Sequence, residues 1–277
     1  MTEHSQTDGA SKSERGGLQS SETKVIPERK TLDVHTITPD EWEHFTRNAW
    51  ARSLLTAATQ GSNSEYVPIP TGPRQMKPDT GEDGFMGQTL NSATALPFYI
   101  TLRRRKLATA EELLRDPPRG VMEYQRKPLT PERPPDTITL VSLGFPGACG
   151  YPSTAHGGLV ATLFDECMSL ALALYEPGHE ESPQQQERRK YERNSPRPSA
   201  ARGDRIYTAQ LTVRYRQPVQ VPALLVVRAW CVARKGRKTW TIAQALQEVD
   251  SDGKEPRSRT IRADASALWI NSDAPKL

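Results

Sequence analysis

The chain has 277 residues, of which 35% are hydrophobic and 23 are proline, and it carries a net charge of +4. With a mean hydropathy of -0.67 and a pI near 9.0, it is long enough for one large domain or two small ones, yet too polar to be packed along its whole length. Acidic residues nearly match basic ones, and no aromatic and basic residues interleave as in a nucleic-acid-binding module, so nucleic acid is not an expected partner.

Cysteine usage and the N-terminus narrow the setting. Cys149, Cys167 and Cys231 form no CxxC pair, which argues against a disulfide framework or structural zinc and for a reducing compartment. Glu3, Asp8, Glu14 and Glu22 fit neither a secretory signal nor an acid-poor mitochondrial presequence. No apolar run approaches the roughly 20 residues that span a bilayer. A cytoplasmic protein is expected, with a mitochondrial one left open.

In chain order, residues 1–36 have almost nothing to bury and are expected to be a disordered tail. Thr38-Pro39-Asp40-Glu41 reads as a capping box, and Trp42, Phe45, Ala49 and Trp50 follow at helical spacing. This predicts one helix over 39–57, packed on the outside of the main domain. Residues 60–90 are turn-rich, a strand is expected over 98–102, and a short helix near 109–114 interrupts a charged, proline-broken excursion over 103–136. The whole of 37–136 is thus expected to be a helix with an irregular extension.

From 137 the pattern tightens. Thr137 to Leu143 reads as a buried strand, and a Gly- and Pro-rich loop runs to Ser153. Leu159 to Tyr175 is apolar nearly all round, so that helix must be enclosed on most sides. A polar insert over 179–204 is expected to be mobile. Four strand-like runs follow, over 206–216, 223–234, 238–249 and 257–270. Their short connections, including Asp252-Gly253, predict antiparallel neighbours. One curved sheet wrapped around a buried helix is an α+β arrangement.

At the head of that helix stands Ala155-His156-Gly157-Gly158, and six mostly apolar residues later comes Asp165. On this motif the chain resembles the hot-dog-fold thioesterase superfamily, in particular its phenylacetate-pathway and animal acyl-CoA thioesterase branch. The resemblance covers about 137–270 and includes the turn Gly236-Arg237-Lys238-Thr239; a hot-dog domain over 137–271 is therefore expected. It implies hydrolysis of an acyl-CoA or acyl-carrier-protein thioester, without metal or redox cofactor, coenzyme A being part of the substrate. It also implies a homodimer or tetramer with active sites at protomer interfaces.

The resemblance makes Asp165 the catalytic carboxylate, as nucleophile or as general base. Gly157 supplies the oxyanion N–H, Gly158 belongs to the same binding turn, and His156 orients or polarises the thioester. Thr208, aligned through Tyr215 and Pro218, corresponds to a Ser or Thr that the family donates from a neighbouring protomer. Alternation along its strand puts Thr208 opposite Tyr207, Ala209, Leu211, Val213 and Tyr215, pointing away from the helix. Where some relatives carry an asparagine, this chain reads Cys149 to Thr154, with Ser153 or Thr154 as substitutes.

Physical chemistry supports the same assignment. A helix N-terminus presents unpaired N–H groups and a positive dipole end to a developing oxyanion, and glycines let a carbonyl approach the backbone. Glu166, about 100° round the helix, is the less favoured acid, and the cysteines read as buried small hydrophobes. Arg234, Lys235, Arg237 and Lys238 are candidates for the phosphates of coenzyme A or for a solvated hairpin tip. Two other readings stay open at this stage. One is a pathway enzyme releasing or modifying a polyketide-type acyl thioester in secondary metabolism. The other is a non-catalytic acyl-thioester-binding subunit.

Overall fold

The computed structural model describes residues 37–60, 64–69, 83–113, 116–118, 120–123, 126–175, 206–248 and 259–271, with Met76, Pro78 and Gly81. The N-terminal tail and the insert expected over 179–204 lie outside the described residues.

Thr38 opens α1 (Pro39–Thr46) with the capping box read from the sequence: its hydroxyl accepts from Glu41 N at 3.3 Å, and Glu41 Oε2 accepts from Thr38 N at 2.9 Å. The predicted single helix is two. The chain breaks at Arg47 and Asn48 and restarts as α2 (Ala49–Gln60). Asn48 is the cause, because its side-chain carbonyl accepts from Ala51 N at 3.0 Å and caps the second helix.

The strands are β1 (Tyr66–Ile69), β2 (Tyr99–Arg104), β3 (Thr137–Leu143), β4 (Cys149–Tyr151), β5 (Thr154–Ala155), β6 (Ile206–Tyr215), β7 (Ala223–Lys235), β8 (Lys238–Glu248) and β9 (Arg259–Asn271). The short α3 (Ala110–Leu113) precedes β3, and α4 (Gly157–Ala173) sits between β5 and β6. Among the described residues β4 and β5 form a small ribbon, and the other seven strands form one sheet in the order β1-β2-β3-β7-β8-β9-β6. Each neighbouring pair is antiparallel. Strand β1 falls in a stretch that reads as turns; it is an edge strand, where Pro68 removes no bond the sheet needs.

The period of two divides the sheet into two faces. On one, α4 lies over Ala229, Ala243, Ala245, Ala263, Ala265 and Ala267, all buried. Methyl-sized residues on the central strands leave room for the larger Leu159, Leu163, Phe164, Cys167 and Met168 of the helix, which complete the core at close packing. The sheet thus packs its antiparallel strands against a central helix, as the α+β reading requires.

On the other face, α1 and α2 place Phe45, Ala51 and Leu55 against Ile100, Leu102, Leu140 and Val226. Further along, Val121, Met122 and Leu129 from the excursion cover Trp230 and Ile242. The helix expected outside the main domain is there, and the excursion is a second cover for the same face.

Candidate active site

The turn leading into α4 is built by close approaches that only glycine permits. A Cβ on Gly144 or Gly147 would lie 2.6 Å or 2.8 Å from the Thr94 backbone. The Gly150 position would meet His156 Cα at 2.8 Å. The loop over 144–155 is therefore pressed between residues 93–94 and the helix start. His156 N donates to Ala148 O at 2.8 Å and Ala155 N to Val219 O at 2.8 Å.

His156 is the N-cap of α4. Its backbone is extended (φ -62, ψ 130) and its Nδ1 accepts from Gly158 N at 3.0 Å, so the proton of the neutral ring sits on Nε2. The first N–H groups of a helix lack intrahelical partners. That of Gly158 is taken by the imidazole.

Two turns on, Asp165 is half-buried, and Thr208 Oγ1 donates to its Oδ1 at 2.8 Å. This corrects the direction read from the sequence. Between Thr208 and Gln210 the β6–β9 register slips by one residue, and a bulge of that kind inverts the alternation. Ile206 and Thr208 therefore share the α4 side with Leu211 and Val213, while Tyr207 is 54% exposed. The partner of Thr208 in this fold is the carboxylate of its own chain.

The enclosure of α4 is incomplete. Gly158 and Ala173 are exposed, and Ala161, Thr162, Asp165 and Ser169 are half-buried along the same side. Asp165 lies on this open stripe of small and polar residues rather than in a dry core. Glu166 is also half-buried, on the side of the buried Tyr99 and Cys167.

Cys167 is ill suited to nucleophilic chemistry. Burial pushes its thiol up to about 12, with the charge of Glu166 adding to the shift. Cys231 is buried as well. The Thr154 hydroxyl donates to Pro152 O at 3.3 Å, a bond local to its own turn. Among the described residues, no group of three His, Cys, Asp or Glu side chains stands close enough to hold a metal ion.

The basic hairpin tip lies at the far end of α4 from the glycines. Arg234 Nη1 donates to Tyr175 O at 2.8 Å, and Arg237 Nε donates to Asn271 O at 2.9 Å. Lys235 Nζ meets Asp116 Oδ1 at 2.8 Å in solvent, and Lys238 is exposed. Arg234 and Arg237 thus make bonds within the protein.

One contact at the glycine turn escapes sequence reasoning. Tyr215 Oη donates to Gly157 O at 2.7 Å. Burial raises its phenol above the ordinary value, so it remains a neutral donor. A Cβ on Gly157 would stand 3.4 Å from the Tyr215 ring, and one on Gly158 3.0 Å from His156 Nδ1. The two glycines thus admit different neighbours. Strand alternation gives the face of Tyr215; only the packing of β6 on α4 gives its partner.

Residues 153–251 match the model of the Thioesterase superfamily. Over that stretch the chain is similar to the thioesterase superfamily, and its antiparallel sheet packed against a central helix is the arrangement that the hot-dog resemblance implies. Among solved structures, the chain is similar to a thioesterase superfamily protein at 21% identity, covering 49% of this chain and 48% of that one with a TM-score of 0.32. It is also similar to a Staphylococcus aureus acyl-CoA hydrolase mutant at 13% identity (49% and 65% covered, TM-score 0.35). A hexameric hot-dog fold thioesterase of Campylobacter jejuni matches at 15% identity (45% and 76% covered, TM-score 0.31). The chain spans about half the length of the first of these structures. No curated protein matches it. Among the described residues, no helix is long and apolar enough to cross a membrane.

Proposed function

We propose that this protein hydrolyses an acyl thioester, on coenzyme A or a carrier protein, to a carboxylic acid and a free thiol. The observation that carries the reading is one helix presenting two groups: an N–H at its glycine start, and a carboxylate, Asp165, held by Thr208.

The eight residues from Gly157 to Asp165 rise about 12 Å along a helix. A carbonyl must lie within roughly 3 Å of both its attacker and its oxyanion donor. One chain therefore does not complete the site. A second copy, laid along the open stripe of α4, brings its Gly157 to the first copy's Asp165, which supports a homodimer, alone or within a tetramer.

In such a site, Asp165 takes a proton from water and the new hydroxide adds to the thioester carbon. Alternatively, the carboxylate itself adds and water then cleaves the anhydride. The oxyanion rests on Gly157 N–H at the positive end of α4, with His156 Nε2–H beside it. In the general-base route, collapse expels the thiolate, which takes up the proton held on Asp165; in the nucleophilic route the thiolate leaves as the anhydride forms and takes its proton from the water that cleaves that anhydride. Arg234, Lys235, Arg237 and Lys238 are the cations proposed for coenzyme A phosphates.

The test is free-thiol release from a panel of acyl-CoA and acyl-carrier substrates by the native chain and by Asp165→Ala. We expect a loss of 10²-fold or more, the usual worth of a general base or larger, with unchanged thermal unfolding. Full activity in Asp165→Ala overturns the assignment. Single turnover in ¹⁸O-water tests the nucleophilic role: label in the Asp165 carboxylate requires an anhydride cleaved at its aspartyl carbonyl.

A further inference from the structure

We infer that Tyr215 is a positioning residue: through the Gly157–Gly158 peptide it fixes the tautomer and direction of the His156 imidazole. The three groups form one chain of hydrogen bonds. Tyr215 Oη donates to Gly157 O at 2.7 Å, and the N–H of that same peptide group, Gly158 N, donates to His156 Nδ1 at 3.0 Å.

A peptide group is rigid and planar, so holding its oxygen fixes the direction of its N–H. Polarisation adds to this, because a donor on the carbonyl strengthens the N–H as a donor in turn. The imidazole then keeps Nδ1 as acceptor and carries its proton on Nε2. Glycine on both sides of the peptide would otherwise leave it free to rotate. The ring of Tyr215 closes over Gly157 at 3.4 Å from where a Cβ would stand, so the contact depends on both residues.

Thr208 and Tyr215 also stand on the same strand, β6, and reach Asp165 and Gly157 of the same chain, which belong to the two different sites of the proposed dimer. One strand therefore orients both the carboxylate and the glycine turn.

The role of Tyr215 in hydrolysis rests on the function proposed above; its role in setting the tautomer does not. The variant is Tyr215→Phe, which keeps the ring over Gly157 and removes the hydroxyl. Imidazole ¹⁵N shifts are read on the full chain at about pH 9, well above the ordinary histidine value of ~6.5. The native protein is expected to show His156 as the Nε2–H tautomer alone. The variant is expected to show a mixture of tautomers and at least tenfold faster exchange of the Gly158 amide.

In the hydrolysis assay, kcat is expected to fall about tenfold with KM unchanged. A variant that folds normally, keeps a single tautomer and shows native Gly158 exchange overturns the inference, whatever the activity. Absence of thioesterase activity in the native chain overturns the functional reading instead, and the tautomer measurement still decides the role of Tyr215.

Discussion

The two faces of the sheet are built on opposite principles. Toward α4 the central strands present alanines, and the helix supplies the bulk. On the outer face the same strands carry charge. Asp264, 1% exposed, accepts from Arg214 Nε and Arg216 Nε, each at 2.6 Å. The other ends of those arginines donate to Glu123 O and Arg126 O of the excursion. Asp136, wholly buried, pairs with Arg133 and accepts from Tyr175 Oη at 2.9 Å and Cys231 N at 2.8 Å.

A sheet face studded with ion pairs cannot be left dry and unpaired, because a buried charge without a partner costs several kcal/mol. The excursion over 103–136 supplies backbone carbonyls and Arg133 to those charges. The difference teaches that the site face is tuned for close packing, whereas the outer face is tuned for holding an added segment in register. Mutations should therefore separate the two.

The largest effect is expected on the outer face. Asp264→Ala leaves Arg214 buried without its counter-charge, and we expect a loss of about 3–5 kcal/mol in urea unfolding. The folded fraction should keep its kcat; a fall in kcat per folded molecule would erase the distinction between the faces.

Ala265→Leu makes the complementary test beneath α4. Overpacking there costs about 1–3 kcal/mol, and because the helix is displaced, hydrolysis should fall together with stability. A variant as unstable as expected but fully active would show that the floor does not position the site. Thr208→Val removes only the hydroxyl on Asp165. Hydrogen bonds to charged groups are worth about 1.5–3 kcal/mol, so the unfolding free energy should fall by no more than that while kcat drops roughly tenfold or more.

The smallest effect is expected at the hairpin tip. Lys235→Ala breaks an ion pair that solvent screens on both sides, 60% and 78% exposed, and the unfolding midpoint should not move. If the tip holds coenzyme A phosphates, KM for an acyl-CoA rises while KM for an acyl-pantetheine without those phosphates does not. Equal KM changes for both would remove the tip from the binding surface.

Sequence alone reached the local elements, because their causes are local. The Thr38 capping box, the β3 run, the two glycines that open α4 and the spacing of Asp165 from Gly157 are all written within a few residues of where they act. What it missed depended on partners distant in the chain. Asn48 splits the predicted helix: its carbonyl caps the second half, and its amide is held by Glu248, 200 residues away. The outer charges conceal why a proline-broken excursion packs at all. A one-residue slip of β6 against β9 turns Thr208 toward the helix, and strand alternation cannot register a bulge that only the pairing strand reveals. Likewise, the sequence placed a histidine and two glycines at a helix start. Tertiary packing decided that Tyr215, nearly sixty residues later, closes over them, because hydrogen bonds between strand and helix are set by distance in space and not by distance along the chain.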